Sequence, residues 1–298
     1  MKRWNKNIFV VVMLVAILVV SLGTTKLYLN ITNEQSAEQE LKIVTSFFPM
    51  YIATENLTAG AEHVSLENLS EPQTGCLHDY QLTPEDMILL STADVFVVNG
   101  GGIEEFLTDV AEEYPELTII DASKGIELLD GNSHAWMSVA LHRQQVENIA
   151  EGLEQVDPEN ASLYHQNAHS YDHELEHLQE DQEALLEQTK DKNIIIFHEA
   201  YEYVAQDYDM NPVYLLDLDE ERQVSAGEVA DVLDAIQKDG VSFVLAEEEY
   251  GAEMGEMVTK ETGVPVYYLN TLVRGSYDAN SYIEKMQENI DVISQAVL

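Results

Sequence analysis

Nine histidines stand at positions 63, 78, 134, 142, 165, 169, 173, 177 and 198, and seven of them fall into two patterns. The first is His78, His134 and His198, far apart in the chain but each at a loop or strand end. A neutral imidazole nitrogen is a ligand for divalent transition metals, and three of them on one ion leave the fourth position of tetrahedral zinc open. Taken singly, each reads first as a hydrogen-bonded structural histidine, and spacing alone does not establish that the three converge. The second pattern is His165, His169, His173 and His177, spaced at i, i+4, i+8 and i+12. Residues four apart face one another on a helix, and each step drifts by roughly 40°. Adjacent pairs of this stripe therefore suit two-imidazole chelation, with Asp172, Glu176 or Glu180 as nearby oxygen ligands. The alternative is a solvated face in which histidine replaces lysine. His63 and His142 fit neither pattern and read as surface residues.

The neighbouring residues say how the first three are positioned. His78 precedes Thr83-Pro84-Glu85-Asp86, where threonine is a good N-cap, proline suits the first helical position and the acids favour the positive helix end. His134 lies in Asn132-Ser133-His134-Ala135-Trp136, between a loop and the next helix. His198 follows the apolar run Ile194–Phe197 directly, and the carboxyl end of a strand is where open α/β sheets place ligands.

Short β-branched runs alternate with helical patterns from Leu41 onward. The strand candidates are Lys42–Ser46, Val64–Leu69, Val95–Asn99 and Thr118–Asp121, then Ile194–Phe197, Val213–Leu216, Phe243–Ala246 and Val266–Leu269. Helical patterns include Pro84–Ser91, Gly102–Glu113, Ala226–Lys238 and Ala279–Ala296. This alternation implies an α/β fold of two doubly wound parallel-sheet lobes. From Pro158 to about Lys190 there is no glycine, no second proline and no strand signal. The stretch predicts one long rigid helix of about 33 residues, roughly 50 Å, as a spine between the lobes. The expected organisation is a signal or anchor segment over 1–29, a polar tether over 30–40, an N-terminal lobe over 41–157, the linking helix over 158–190 and a C-terminal lobe over 191–298.

Composition excludes several functions. With 55 acidic against 14 basic residues the net charge is −41, which repels nucleic acid and anionic membrane surfaces. The acids are spread along the chain, so they read first as a solvated surface, though such a field also raises local cation concentration. Cys76 is the sole cysteine, which rules out an intramolecular disulfide and a cysteine-based zinc cluster within one chain. Lys2, Arg3 and Lys6 before the apolar run Ile8–Val20 mark an export signal. Extended to Leu29, the run becomes an uncleaved anchor with the body facing outward. Asn99-Gly100-Gly101-Gly102 follows a strand and precedes a helix, yet Glu104-Glu105 and the lack of lysine make it a tight turn and not a phosphate loop. Tyr201, Tyr203 and Tyr250 read as cleft wall or plain core.

The strings TGCLHDYQLTPEDMILLSTADVFVVNGGGIEEFL, NSHAWMS, FHEAYEYVAQDY and VPVYYLNTLVRGSYDANSYIEKMQENI resemble the zinc and manganese substrate-binding proteins of ABC importers. The resemblance runs from about Leu41 to the C-terminus in family order. It implies two lobes on one long helix, one metal between them, and His78, His134 and His198 as its ligands. It further implies an ABC permease as partner, an extracytoplasmic location and a monomer. A third histidine in place of a glutamate is similar to the zinc members, and three nitrogens suit zinc where manganese prefers oxygen.

This sequence departs from the family in three places. The expected late acid falls near Asn270, within Leu269-Asn270-Thr271, leaving water, the Asn270 amide oxygen or Glu247 as a fourth ligand; water is favoured. No cysteine closes the signal as in lipoprotein members, so the N-terminal segment is the expected tether unless the protein is released. The histidine-rich loop of many zinc members is short here, and the helical stripe is its candidate substitute as a collecting site. The leading expectation is an extracytoplasmic Zn2+ carrier that is not an enzyme. Its alternatives are a manganese or mixed-metal carrier, a zinc-dependent hydrolase with an open three-histidine site, and a tethered adhesin. Against the hydrolase stands the absence of a second histidine four residues after His198-Glu199.

Overall fold

The computed structural model describes residues 13, 20, 21, 24, 26, 40–71, 77, 78, 80–218 and 222–298. The signal or anchor assigned to 1–29 and the tether assigned to 30–40 lie almost wholly outside the described residues, as does Cys76. Among the described residues no helix is long and apolar enough to cross a membrane. The chain divides after Leu41, and Lys42–Leu298 form one compact unit.

That unit holds two four-stranded sheets. The first contains β1 (Leu41–Thr45), β2 (Val64–Asn68), β3 (Val95–Val98) and β4 (Thr118–Asp121), in the order β2-β1-β3-β4. The second contains β5 (Asn193–Ile196), β6 (Asn211–Leu215), β7 (Phe243–Ala246) and β8 (Val266–Tyr268), in the order β6-β5-β7-β8. Strand β3 pairs in parallel with β1 and β4, and β7 does so with β5 and β8. The central strands β3 and β7 are buried along their whole length, so they read as continuous apolar runs and not as alternating ones. Every predicted strand is present within two residues at either end.

Helices follow the strands: α1 (Phe48–Thr58), α2 (Pro84–Thr92), α3 (Leu107–Glu113), α4 (Val139–Val156), α5 (Ala161–Glu183), α6 (Leu186–Thr189), α7 (Tyr201–Asp207), α8 (Ala226–Asp239), α9 (Glu248–Thr262) and α10 (Ser281–Val297). The spine is shorter than its sequence predicts. Helix α5 has 23 residues, about 34 Å at 1.5 Å per residue. At its start the chain turns after α4, where Asp157 accepts from Asn160 and Tyr164. At its end the Leu185 amide reaches back only three residues, to the Gln182 carbonyl, before the single turn of α6. The buried face of α5 is Tyr164, Tyr171, Leu175, Leu178 and Gln182, a helical period laid along α4. Arg143 of α4 grips Asp172 of α5 through two nitrogens, at 2.6 and 3.0 Å.

His142 is not a surface residue. It is fully buried, stacked on Tyr282 at 3.9 Å between ring centroids, and its Nδ1 lies 3.3 Å from the Gln145 amide oxygen. Burial lowers its pKa to about 4 from an ordinary 6.5. The folded state thus resists a proton that the unfolded chain accepts, so this contribution to stability is complete above pH 6.5 and is lost as pH falls toward 4. The loss is about 3 kcal/mol at 1.36 kcal/mol per unit. Replacing His142→Phe keeps the aromatic stack, so urea titrations should show the variant gaining about that much on the parent between pH 7 and pH 4.

The predicted helix from Gly102 begins five residues later, and the reason is Glu104. Gly100, Gly101 and Gly102 all take positive φ, the region open to glycine. The buried Glu104 carboxylate folds back to accept from the Asn99 and Gly100 amides and from the Ser46 hydroxyl, at 2.8, 3.1 and 2.8 Å. Burial pushes its pKa up to about 7 against those three donors. The turn after β3 does hold a carboxyl group, and that group is the protein's own side chain.

Candidate metal centre

His78 stands on a turn after buried Leu77, where the Tyr80 amide donates to the Leu77 carbonyl. The chain then enters α2 through the capping box that its sequence predicts. Thr83 Oγ1 accepts from the Asp86 amide, and Asp86 accepts from the Thr83 amide and hydroxyl and from Tyr80. The cap fixes the loop, and the loop presents His78 one-third exposed.

His134 is wholly buried between two short 3-10 turns, Leu129–Gly131 and Ala135–Met137. This segment is where the two sheets' surroundings knit together. The Trp136 indole donates to the Thr271 carbonyl, Tyr282 donates to the Trp136 carbonyl, and Tyr203 donates to the Asn132 carbonyl. Tyr201 donates to the Leu269 carbonyl, so Tyr201 and Tyr203 are buried braces at the cleft. Tyr250 instead accepts from Arg274.

Asn132 sets the tautomer of His134. The Asn132 amide nitrogen donates to the Glu199 carbonyl and to Glu202 Oε2, at 2.9 and 3.0 Å. Its Oδ1 therefore faces His134, accepting from the backbone amide at 3.0 Å and lying 2.8 Å from Nδ1. Nδ1 must carry the hydrogen, which leaves the lone pair on Nε2. That atom lies 3.4 Å from His78 Nε2. Burial, then the nearby His198 and His78, hold the His134 pKa well below the ordinary imidazole range, so the ring is kept neutral, as a metal ligand must be.

The third member of the cluster is Glu199. Its Oε1 is 3.5 Å from His78 Nε2 and 3.4 Å from His134 Nδ1, and ligand atoms of His78, His134 and Glu199 all lie within 4.8 Å of one another. His198 follows β5 as its sequence predicts. Its ring stands edge-on to His134 at 5.1 Å, and its Nδ1 accepts from the Ala200 amide at 3.0 Å. That bond leaves the hydrogen on His198 Nε2, so in this rotamer His198 stands beside the pair while His78 and His134 turn Nε2 toward a shared point.

One side-chain oxygen of each fourth-ligand candidate, Asn270 Oδ1 and Glu247 Oε1, has protein partners. Asn270 Oδ1 accepts from the Leu272 amide at 2.7 Å. Glu247 accepts from Thr271 and pairs with Arg274, each at 3.0 Å. The carboxylate that sequence reasoning passed over is Glu199, weighed only as part of a protease motif. Its signal was its place directly after His198 at the end of a strand.

Two nitrogens bound at about 2.0–2.1 Å to one tetrahedral ion stand about 3.3–3.4 Å apart. The observed Nε2–Nε2 distance matches that value. The arrangement is a half-buried donor set of imidazole and carboxylate at the carboxyl ends of strands, suited to hold a divalent transition metal.

A family model described as zinc-uptake complex component A, periplasmic (ZnuA), matches residues 43–296. The chain is 25% identical over 288 residues to the high-affinity zinc uptake system protein ZnuA of Bacillus subtilis, covering 88% of this chain and 89% of that protein. It is 28% identical over 294 residues to the manganese-binding lipoprotein MntA of Halalkalibacterium halodurans, covering 94% and 95%. Among solved structures, the SBP FpvC of P. aeruginosa in complex with Ni2+ superposes with a TM-score of 0.78 at 26% identity, covering 87% of this chain and 97% of that one.

Proposed function

Because the chain belongs to the ZnuA family of metal-binding solute-binding proteins, which are not enzymes, we propose that its cargo is Zn2+. His78, His134 and His198 take the ion from dilute solution outside the cytoplasmic membrane, and Glu199 or a water completes the site. The loaded protein, a monomer held at the membrane by its N-terminal segment, hands the ion to the permease of an ABC importer.

The observation that carries this reading is the pair of Nε2 atoms 3.4 Å apart, with the His134 tautomer set by Asn132. A set dominated by imidazole nitrogen favours zinc, whereas manganese favours carboxylate oxygen. Glu199 and the 28% identity to a manganese-binding lipoprotein support a second reading, a manganese or mixed-metal carrier. Equilibrium dialysis of the full chain against Zn2+ and Mn2+ together separates the two. Zinc should fill the tight site, and a tenfold excess of Mn2+ should leave it in place. Displacement of zinc by equimolar Mn2+ would transfer the assignment to manganese.

The outer partner Asn132 gives a further expectation. In Asn132→Ala the His134 Nδ1 hydrogen loses its nearest acceptor, at 2.8 Å, and keeps only the longer approach of Glu199 at 3.4 Å, so tautomer and ring orientation are held less firmly. Zinc affinity should fall about 10–100-fold, read by competition with a chromophoric chelator.

A further inference from the structure

The histidine stripe on α5 remains outside the cleft, and all four of its rings are exposed. Four residues of helix advance about 6 Å and rotate the face by roughly 40°, so adjacent pairs share one surface while the two ends of the stripe do not. One pair is drawn together. The rings of His173 and His177 lie 4.7 Å apart between centroids, and His177 Nδ1 is 3.3 Å from Glu180 Oε2, three residues on. Two imidazoles thus pair on one face, and the Glu180 carboxylate stands beside the second of them.

The other half of the stripe is built differently. His165 and His169 border a groove between α4 and α5 of about 570 Å3, and the carboxylate there, Asp172, is gripped by Arg143. A carboxylate already engaged by a guanidinium has little left to offer a metal, and the arginine charge opposes a cation beside it.

We propose that His173 and His177 form a second, exposed two-imidazole site for a divalent transition-metal ion of the zinc, copper or nickel kind, with Glu180 orienting the His177 ring. The paired nitrogen donors fit that class, while calcium and magnesium call for oxygen. With His177 and Glu180 side chains 64% and 68% exposed, water completes the coordination and exchanges readily. The ion is held more weakly than one in the buried cleft and is gained and lost without any change in the lobes. This inference is independent of which metal the cleft carries.

Calorimetric titration of the full chain with Zn2+ tests it. The parent should show a tight step and a weaker one. The double variant His173→Gln/His177→Gln should weaken the second step more than about tenfold, the lower bound for losing even an outer partner, and leave the first unchanged. His134→Ala should do the reverse. His165→Gln/His169→Gln should leave both steps intact. Cu2+ added to the His134→Ala protein should give an electron paramagnetic resonance spectrum with nitrogen coupling that the His173→Gln/His177→Gln change removes. A parent with no second step, a second step unchanged in His173→Gln/His177→Gln, or one removed by His165→Gln/His169→Gln would overturn the proposal.

Discussion

His134→Ala should lose tight zinc binding altogether, by more than the ~100-fold that removal of an outer partner costs. The reason lies in how much of the site converges on this ring. It is completely buried, its Nδ1 hydrogen is committed to Asn132, and its Nε2 faces His78. Alanine removes one ligand and also the surface against which His198 is set, edge-on at 5.1 Å. The variant must still fold for the result to bear on binding. Trp136, Tyr203 and Tyr282 anchor this segment by hydrogen bonds to backbone carbonyls, which the substitution leaves in place. A cavity at a buried ring still lowers stability by a few kcal/mol, as large-to-small changes do. His134→Gln supplies the control, since it fills more of the space and offers an amide in place of an imidazole nitrogen. Both variants should melt cooperatively, and neither should show the stabilisation that the tight site gives the parent at low zinc. The parent's melting temperature should rise with zinc concentration, as linkage requires when only the native state binds. A zinc-dependent rise in His134→Ala equal to the parent's would remove His134 from the site.

The positions of the strands and of two histidine loops were legible in the chain because local chemistry decides them. β-branched runs fall at every observed strand, and Thr83-Pro84-Glu85-Asp86 forms the capping box that sets the loop of His78. What escaped the sequence depends on partners remote in the chain. His142 is buried because Tyr282, 140 positions later, stacks on it. Glu104 stays out of its expected helix because Ser46 and the amides after β3 bind its carboxylate. The spine ends at Glu183 with no glycine or proline to mark it, since a three-residue hydrogen bond does the work there. Glu199 shows the middle case. Its position beside His198 was visible, but the direction of its carboxylate follows from the meeting of the β5 loop with the Asn132–His134 segment. The family resemblance supplied the convergence of His78, His134 and His198 that spacing alone left open. The structure then supplied a carboxylate beside them that the resemblance did not name.

Arg274→Met should cost about 3–5 kcal/mol at neutral pH, the usual penalty for stranding one member of a buried ion pair. Arg274 Nη1 lies 3.0 Å from Glu247 and 2.6 Å from Glu249, and Tyr250 accepts from Nη2 at 2.9 Å. Glu249 is exposed and loses little. Glu247 is only 8% exposed, and burial already pushes its pKa above 4.5 while Thr271 and Arg274 pull it down. Removing the guanidinium leaves burial unopposed, so the folded pKa climbs further. A raised carboxyl pKa favours the folded state's proton: no penalty exists below the unfolded pKa, and the penalty grows as pH rises toward the folded one. The loss in Arg274→Met should therefore be large at pH 7 and mostly gone near pH 4.5, when urea midpoints of variant and parent are compared at both. Adding Glu247→Gln should recover most of the lost stability at pH 7, because the amide carries no charge and still accepts from the Thr271 hydroxyl. The same double variant decides the role of Glu247 in the cleft. If Glu199 or water is the fourth ligand, zinc affinity in Arg274→Met/Glu247→Gln should match the parent. A collapse of zinc binding in this well-folded protein would make Glu247 a ligand and Arg274 the residue that holds it ready.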